Sequence, residues 1–236
     1  MAYPCLLYYI TDRSQFPGDE ASRRRDLLAK VAEAARAGVD YIQLRERDLS
    51  ARELESLARE TIAVIHKNPS KNNHEHSRST RLLINHRTDV ALAAGADGVH
   101  LRAEDATPRQ VRRVFEVSAP RPQPRTRFFI AASCHSLQDV ICAASGAADF
   151  AVFAPVFEKS SAPGRQPATL AALREACTVK IPVLALGGVT IDNASSCLNA
   201  GASGVAGIRL FQENKIENVV RSLRAIALCG CSRGQL

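Results

Sequence analysis

The amino-acid sequence predicts one α/β domain, a closed (β/α)8 TIM barrel. Short apolar runs alternate with amphipathic stretches along the whole chain, eight of each. Regular alternation of this kind implies a parallel sheet with helical crossovers. Eight units in 236 residues fit a closed barrel better than an open, doubly wound sheet. We assign residues 1–228 to the barrel and residues 229–236 to a C-terminal tail.

The candidate strands are short, mostly apolar runs bounded by polar or turn-forming residues. In order they are LLYYI (6–10), YIQL (41–44), LLI (82–84), GVHL (98–101), FFIAA (128–132), FAVF (150–153), PVLAL (182–186) and GVAGI (204–208). Helical patterns fill the intervals at 22–37, 51–66, 87–94, 107–117, 136–146, 168–177, 191–200 and 213–227.

The connections from helix to strand repeat one pattern. AGVD (37–40), AGAD (94–97), SGAAD (145–149) and AGAS (200–203) each follow a helix and precede a strand. Each supplies a glycine where the helix stops and an Asp or Ser before the next strand. The recurrence predicts corners that are built in the same way.

The net charge of +7 is concentrated in two polar segments, 66–81 and 119–127. Both fall between a helix and the next strand, which in a barrel is the face opposite the chemistry. Neither segment interleaves aromatic residues with its basic ones, so nucleic-acid binding is not favoured. We interpret both as solvated insertions, with His74 and His76 as solvated loop histidines.

The chain shows no sign of a membrane span or of a secretory signal. No run approaches the ~18 apolar residues that a span needs, and the N-terminus lacks a basic region before its apolar stretch. The cysteines lack metal-site spacing except for Cys229 and Cys231, a weak zinc pair, and we expect buried free thiols at Cys134, Cys142 and Cys197. These features predict a cytoplasmic protein.

Polar residues that follow the strands lie on the active face of such a barrel. In DYIQLRERD (40–48), Gln43, Arg45 and Arg47 stand at alternate positions, so a strand directs them to the same side. Guanidinium groups bind phosphate bidentately, which predicts a polyanion site. The alternative is a solvated helix entry with Asp48 or Ser50 as its N-cap.

Strands 3, 4 and 5 also end in polar residues. Asn85 can hydrogen-bond a heterocycle or a phosphate. Glu104 and Asp105 suit helix capping and metal binding equally well. Ser133 and His135 project from the end of strand 5, where a functional role competes with a structural one.

The loops after strands 6, 7 and 8 predict a phosphate site. APVFEKSSAPGRQP follows strand 6 and is long enough for a lid. Gly187 and Gly188 precede a helix, so the backbone there can approach an anion closely. Phosphate commonly binds at the loops after strands 7 and 8 of this fold.

These segments together resemble the thiamine phosphate synthase/TenI family. The resemblance is collinear over roughly residues 6–212. It comprises YYITD, VDYIQLRERDLS, LLINHRTDVALAAGADGVHL, ED (104–105), ASCHS, APVFEKSS, IPVLALGGVTIDN and AGASGVAGIRLF. Each piece alone is weak, whereas eight in order are specific to the superfamily.

The resemblance implies a transferase of thiamine biosynthesis. Such an enzyme joins hydroxymethylpyrimidine diphosphate to hydroxyethylthiazole phosphate with Mg²⁺ and releases pyrophosphate; a homo-oligomer is left open. By position, the pyrimidine diphosphate would be bound by Gln43, Leu44, Arg45, Glu46, Arg47, Asn85 and Ser133. The thiazole phosphate would be bound by Lys159, Ser160, Ser161, Gly187, Gly188, Ile208 and Arg209. Asp105 would hold Mg²⁺, and the candidate catalytic residues are Arg45, Arg47, Ser133 and His135.

Five positions depart from the usual synthase pattern. Arg47 stands where lysine is usual, and His86 replaces an aspartate that would be the second Mg²⁺ ligand. A neutral imidazole is a poor match for this hard ion. Ala103 replaces a glutamine and Ala162 a lysine, and Arg209 replaces a small hydroxyl residue.

Two other functions compete with the synthase. The TenI branch isomerises a thiazole carboxylate phosphate without a metal, and His135 would be its proton-transfer group. The third hypothesis is a barrel that binds thiazole phosphate and catalyses no reaction. The retained Arg45, Arg47 and Asp105 favour the synthase.

Overall fold

The computed structural model describes residues 5–70, 79–118, 127–157 and 169–231. Eight parallel strands form one closed barrel in chain order, with β8 paired to β1. The strands are β1 (Leu6–Ile10), β2 (Tyr41–Leu44), β3 (Arg81–Asn85), β4 (Gly98–Leu101), β5 (Phe129–Cys134), β6 (Phe150–Phe153), β7 (Val183–Ala185) and β8 (Gly204–Gly207). The predicted fold class is confirmed.

Helices connect successive strands as the sequence predicts. They are α1 (Glu20–Ala37), α2 (Ala51–Lys67), α3 (Thr88–Ala94), α4 (Pro108–Ser118), α5 (Leu137–Ser145), α6 (Leu170–Ala176), α7 (Ala194–Asn199), α8 (Arg209–Gln212) and α9 (Ile216–Cys231). Two short elements were not predicted, namely α8 and a 3-10 turn at Arg13–Gln15. The last helix continues through Cys231, beyond the predicted start of the tail.

The core has two layers because side chains alternate across each strand. Residues of one parity pack against the helices, as Leu7, Ile42 and Leu44 do. Residues of the other parity fill the barrel interior, where the Tyr41 and Phe150 rings lie 4.8 Å apart between centroids. The interior is therefore packed with side chains, and a ligand must bind at its carboxyl-terminal opening.

The helix-to-strand corners on the opposite face share one construction. An aspartate precedes each of β2, β4 and β6, and its carboxylate accepts the N–H of the second residue of the preceding strand. The three pairs are Asp40 with Leu7 at 2.8 Å, Asp97 with Leu82 at 2.8 Å, and Asp149 with Ile130 at 2.7 Å. Both basic insertions connect a helix to the next strand on this face, and most of their residues lie outside the described ranges.

The thiols largely follow the prediction. Cys134 and Cys197 are buried and free, as expected, but the prediction of burial is wrong for Cys142, which is exposed on α5. The side chains of Cys229 and Cys231, and all of His74 and His76, lie outside the described part of the chain. Within the described ranges, every helix is too short or too polar to cross a membrane.

Candidate active site

A hydrogen-bonded chain of four side chains lies beneath the barrel opening. The Gln43 amide nitrogen donates to the Tyr8 hydroxyl at 3.0 Å, and Tyr8 lies 3.1 Å from Nδ1 of His100. Nε2 of His100 is 2.8 Å from Oγ of Ser133. The inward parity of β1, β2, β4 and β5 brings these residues together, which places the predicted Gln43 and Ser133 on one polar floor.

Burial sets the protonation state of this floor. Complete burial lowers the pKa of His100 to about 4, so its imidazole is neutral at pH 7 and has one N–H. With the Gln43 amide nitrogen toward Tyr8, the Tyr8 hydroxyl donates to Nδ1, and Nε2–H donates to Ser133. The Ser133 hydroxyl hydrogen is then available to a ligand at the opening.

Sequence reasoning assigned no role to Tyr8 or His100. The usable signal was a polar residue in the inward phase of a short apolar strand, as His100 is in GVHL. Asn85, which was predicted, belongs to the same floor. It ends β3, is buried, and lies opposite His100 in the register of β3 and β4.

The side chains of the predicted pyrimidine-binding residues 43–47 point in different directions. Leu44 packs outward in the helix-facing core. The Glu46 carboxylate is buried and accepts from Nη1 of Arg13 at 3.1 Å and from the Arg13 backbone N–H at 3.0 Å. Asp48 also pairs with Arg13, with Oδ1 2.7 Å from Nη1. The side chains of Leu44 and Glu46 therefore do not reach the opening, and only their backbone can contact a ligand.

Glu46 instead fixes the backbone from which Arg45 extends. Oγ1 of Thr11 donates to Oε1 of Glu46 at 2.5 Å and accepts the backbone N–H of Arg45 at 3.0 Å. Arg45 is half-buried and shares the inward parity of Gln43, and Arg47 is exposed. The two guanidinium groups thus extend from a loop that is anchored to β1.

The residues predicted to hold Mg²⁺ do not form a suitable donor set. Oδ2 of Asp105 accepts the backbone N–H of Arg102 at 2.8 Å, and Oδ1 accepts from Nη2 of Arg102 at 2.9 Å. Burial, assisted by the charge of Arg102, lowers the pKa of His86, so this residue offers a neutral nitrogen. Mg²⁺ prefers oxygen ligands in octahedral geometry. Among the described residues, no three His, Cys, Asp or Glu side chains are grouped to hold a metal.

A cleft of about 400 Å³ connects this pair to the polar floor. It opens between the loop after β4 and helix α5, and its lining includes Arg102, Asp105 and Ser133. A ligand group bound there would lie beside both Arg102 and Ser133.

A second cavity, of about 670 Å³, lies at the loops after β7 and β8. It is lined by four of the predicted phosphate ligands, Gly187, Gly188, Ile208 and Arg209. Gly187 has a φ of 98°, and a Cβ added there would lie 2.8 Å from Cα of Pro155. A side chain at this position would push the loop away from the strand-6 loop, so glycine is required.

His135 lies at the end of β5 with one ring nitrogen engaged. Its Nδ1 is 2.6 Å from the carbonyl oxygen of Ala154, which can only accept, so Nδ1 carries a hydrogen. This hydrogen bond fixes the orientation of the ring. The predicted ligands Lys159, Ser160 and Ser161, and the substituted Ala162, lie outside the described residues.

The closed parallel sheet, with a glycine-lined cavity at the loops after β7 and β8, defines the class of protein, a (β/α)8 barrel. The family model for thiamine monophosphate synthase matches residues 7–211, so the chain belongs to that family. A putative thiamine-phosphate synthase 2 from Aquifex aeolicus is 38% identical over 208 residues, 88% of this chain and 97% of that protein. A putative thiamine-phosphate synthase from Geobacter sulfurreducens is 42% identical over 204 residues, 85% of this chain and 83% of that protein.

A solved structure agrees with the family assignment. The thiamine phosphate pyrophosphorylase from Pyrococcus furiosus superposes with a TM-score of 0.73 at 27% identity, covering 96% of this chain and 97% of that one. The predicted family membership is confirmed, and so is the barrel.

Proposed function

We propose that this protein joins hydroxymethylpyrimidine diphosphate to hydroxyethylthiazole phosphate, giving thiamine phosphate and pyrophosphate. One observation supports the proposal: two arginines and a glycine-lined cavity lie on the same rim, with a polar floor between them, and we take these as two anion-binding regions. Arg45 and Arg47 form the first region, and the glycine-lined cavity at β7 and β8 forms the second. Two phosphorylated reactants need two such regions, whereas an isomerase of one monophosphate needs only one.

The first region binds the pyrimidine diphosphate. Gln43, Asn85 and Ser133 offer amide and hydroxyl groups to the pyrimidine ring at the floor. Negative charge develops on the departing diphosphate, and the guanidinium groups of Arg45 and Arg47 stabilise it. The C–O bond breaks, and the electron-poor methylene carbon accepts the lone pair of the thiazole nitrogen. No protein nucleophile is required.

The second region binds the thiazole phosphate. Gly187 and Gly188 let the backbone approach the phosphate, and Ile208 and Arg209 line the same cavity. Lys159, Ser160 and Ser161 remain proposed ligands on the resemblance alone. The phosphate anchors the thiazole while its ring nitrogen faces the floor, which makes the attack effectively unimolecular.

Asp105 and His86 together do not fit Mg²⁺. The Asp105 carboxylate is hydrogen-bonded to Arg102. His86 supplies a nitrogen, whereas Mg²⁺ prefers oxygen ligands. The predicted cytoplasmic location stays a prediction, which free thiols such as Cys134 and Cys197 support. Assembly into a homo-oligomer also stays a prediction.

One observation favours the tautomerase as the second candidate function. With Nδ1 of His135 donating to Ala154, the ring is oriented and Nε2 is the nitrogen that would transfer the proton. That reaction needs one phosphate site and no metal. It leaves the pair of guanidinium groups after β2 without a role, which is why the synthase ranks first.

The deciding experiment measures pyrophosphate release after mixing both substrates, once with Mg²⁺ and once with EDTA. Release in either buffer supports the synthase. Turnover of the thiazole carboxylate tautomer alone, abolished in His135→Ala, would replace it with the tautomerase. If both reactions fail while thiazole phosphate still binds, the protein is a non-catalytic binding barrel.

A further inference from the structure

The Arg102–Asp105 pair occupies the place where the family resemblance puts the metal. Asp105 holds Arg102 at two points, the backbone N–H at 2.8 Å and Nη2 at 2.9 Å. The carboxylate is largely buried, with 11% of its side chain exposed, whereas the Arg102 side chain is 43% exposed. The anchor is thus buried while the cation reaches the cleft.

Charge at this place balances without a metal ion. Asp105 contributes one negative charge and Arg102 one positive charge, and position 86 carries an imidazole in place of a second carboxylate. Two aspartates with one divalent cation would give the same sum of zero. Glu104 lies 3.3 Å from Nη1 of Arg102, but its side chain is 66% exposed, so solvent screens this contact.

The position of Arg102 suits an anion bound beside the floor. Arg102 follows β4 directly, and β4 carries His100 and pairs with β5 below Ser133. Arg102 and Ser133 line one cleft of about 400 Å³. A diphosphate attached to a pyrimidine on the floor extends into this space, where a guanidinium can bind two of its oxygens.

We infer that Arg102, oriented by Asp105, binds the substrate's diphosphate as a built-in cation at the site where the resemblance predicts Mg²⁺. The inference rests on the proposed function, because it assigns a residue to that reaction's leaving group. The charge of a guanidinium is permanent and its donors are preorganised, so it stabilises the departing pyrophosphate without a metal-binding step. Asp105 is then a positioning residue, not a metal ligand.

His86 completes the arrangement because its side chain is not a carboxylate. An aspartate there would be a second carboxylate close to Arg102 and would compete with the diphosphate for its N–H groups. The imidazole leaves Asp105 as the one largely buried carboxylate that contacts Arg102 among the described residues. The residues at 86 and 102 therefore work as a matched pair.

Titration calorimetry of inorganic pyrophosphate into the full-length protein tests this inference. We expect binding in EDTA, with Mg²⁺ changing the affinity less than about 3-fold. Arg102→Gln should weaken binding in EDTA by about 10-fold or more, within the range for lost hydrogen bonds to a charged group. The control is Arg24→Gln, which removes an arginine paired with Glu60 between α1 and α2 and should leave the affinity unchanged.

A double variant provides the converse test. His86→Asp with Arg102→Gly should abolish tight binding in EDTA and restore it on addition of Mg²⁺, because two carboxylates are then available to the ion. Thermal melting and thiazole phosphate binding verify that each variant is folded.

Two results would overturn the inference. One is wild-type pyrophosphate binding that disappears in EDTA, and the other is an Arg102→Gln affinity equal to that of Arg24→Gln. Because the readout is binding and not turnover, these results are separate from failure of the synthase reaction, which is judged by pyrophosphate release from the two substrates.

Discussion

The two rims of the barrel use charged residues in opposite ways. On the rim at the strand starts, the carboxylates of Asp40, Asp97 and Asp149 accept hydrogen bonds from backbone N–H groups. On the rim at the strand ends, Arg45 and Arg47 extend from an anchored loop, and Arg47 is exposed to solvent. Charge at a rim is therefore not in itself a sign of function. What separates these examples is whether the charged group stays accessible to a ligand after the chain has made its own pairs.

The same distinction applies within the upper rim. Arg13 lies close to Arg45, yet its guanidinium group pairs with three carboxylates, those of Glu20, Glu46 and Asp48. These pairs raise the pKa of Arg13 above its ordinary range and hold the β1 and β2 loops together. Arg13 is thus a structural residue on the upper rim, and through Glu46 and Thr11 it holds the backbone of Arg45 in place.

The largest expected effect lies on the lower rim. Asp149→Ala removes the acceptor for the Ile130 N–H and the partner of Arg112 and Arg127. We expect the free energy of unfolding to fall by about 3 kcal/mol, because a largely buried network loses its centre. Urea denaturation measures this loss.

Asp149→Asn is the matched variant for that prediction. It keeps an oxygen for the Ile130 N–H and should therefore lose less stability than Asp149→Ala. Turnover per folded molecule should stay at the wild-type value in both variants. A fall in turnover without a fall in stability would contradict the structural role given to this rim.

The next effect lies on the upper rim and concerns binding. Arg45→Ala should weaken pyrophosphate binding by about 30-fold, roughly the 2 kcal/mol expected for lost hydrogen bonds to a charged group. Thiazole phosphate affinity and the free energy of unfolding should change little. Calorimetry with each ligand checks this, and equal losses for the two ligands would mean that the two regions are not separate.

A pH effect comes from the floor between the two anion-binding regions. The pKa of His100 falls from its ordinary 6.5 to about 4 on folding, so the unfolded chain takes up this proton first as the pH is lowered. Its contribution to stability is complete above pH 6.5 and is lost as the pH falls toward 4. From pH 7.5 to 5.5 the loss is about 1 kcal/mol. Unfolding measured across this range should show a shallower dependence in His100→Gln, and an unchanged dependence would contradict the burial of a neutral ring.

The smallest effect compares one glycine from each rim. Gly188 and Gly95 have φ values of 64° and 73°, so alanine at either position costs ~1 kcal/mol of stability. Only Gly188→Ala should also lower thiazole phosphate affinity, by several-fold, because only Gly188 lines the upper cavity. Thermal unfolding and calorimetry on the two variants test this, and a similar loss of affinity in Gly95→Ala would contradict it.

Local sequence signals were sufficient for the fold and for part of the site. Period-2 alternation placed Gln43 and Arg45 in one phase, and the glycine pair at 187–188 marked the cavity at β7 and β8. The hydrogen bonds within the floor were not predictable, because the bonded residues Tyr8 and His100 are 92 positions apart in the sequence. The burial of Glu46 depends in the same way on Arg13, 33 positions away. Partners so distant in sequence are known only once the barrel has closed.

The aromatic packing inside the barrel also determines how ligands enter and leave. Among the described residues, Tyr8, Tyr41 and Phe150 fill the interior and close the path through the barrel from the opposite face. Both reactants then enter, and both products leave, through the opening at the carboxyl-terminal end of the barrel. The reactant that binds deepest must enter first, and the product that lies deepest must leave last. A filled interior thereby imposes an order of binding and release on an enzyme with two reactants.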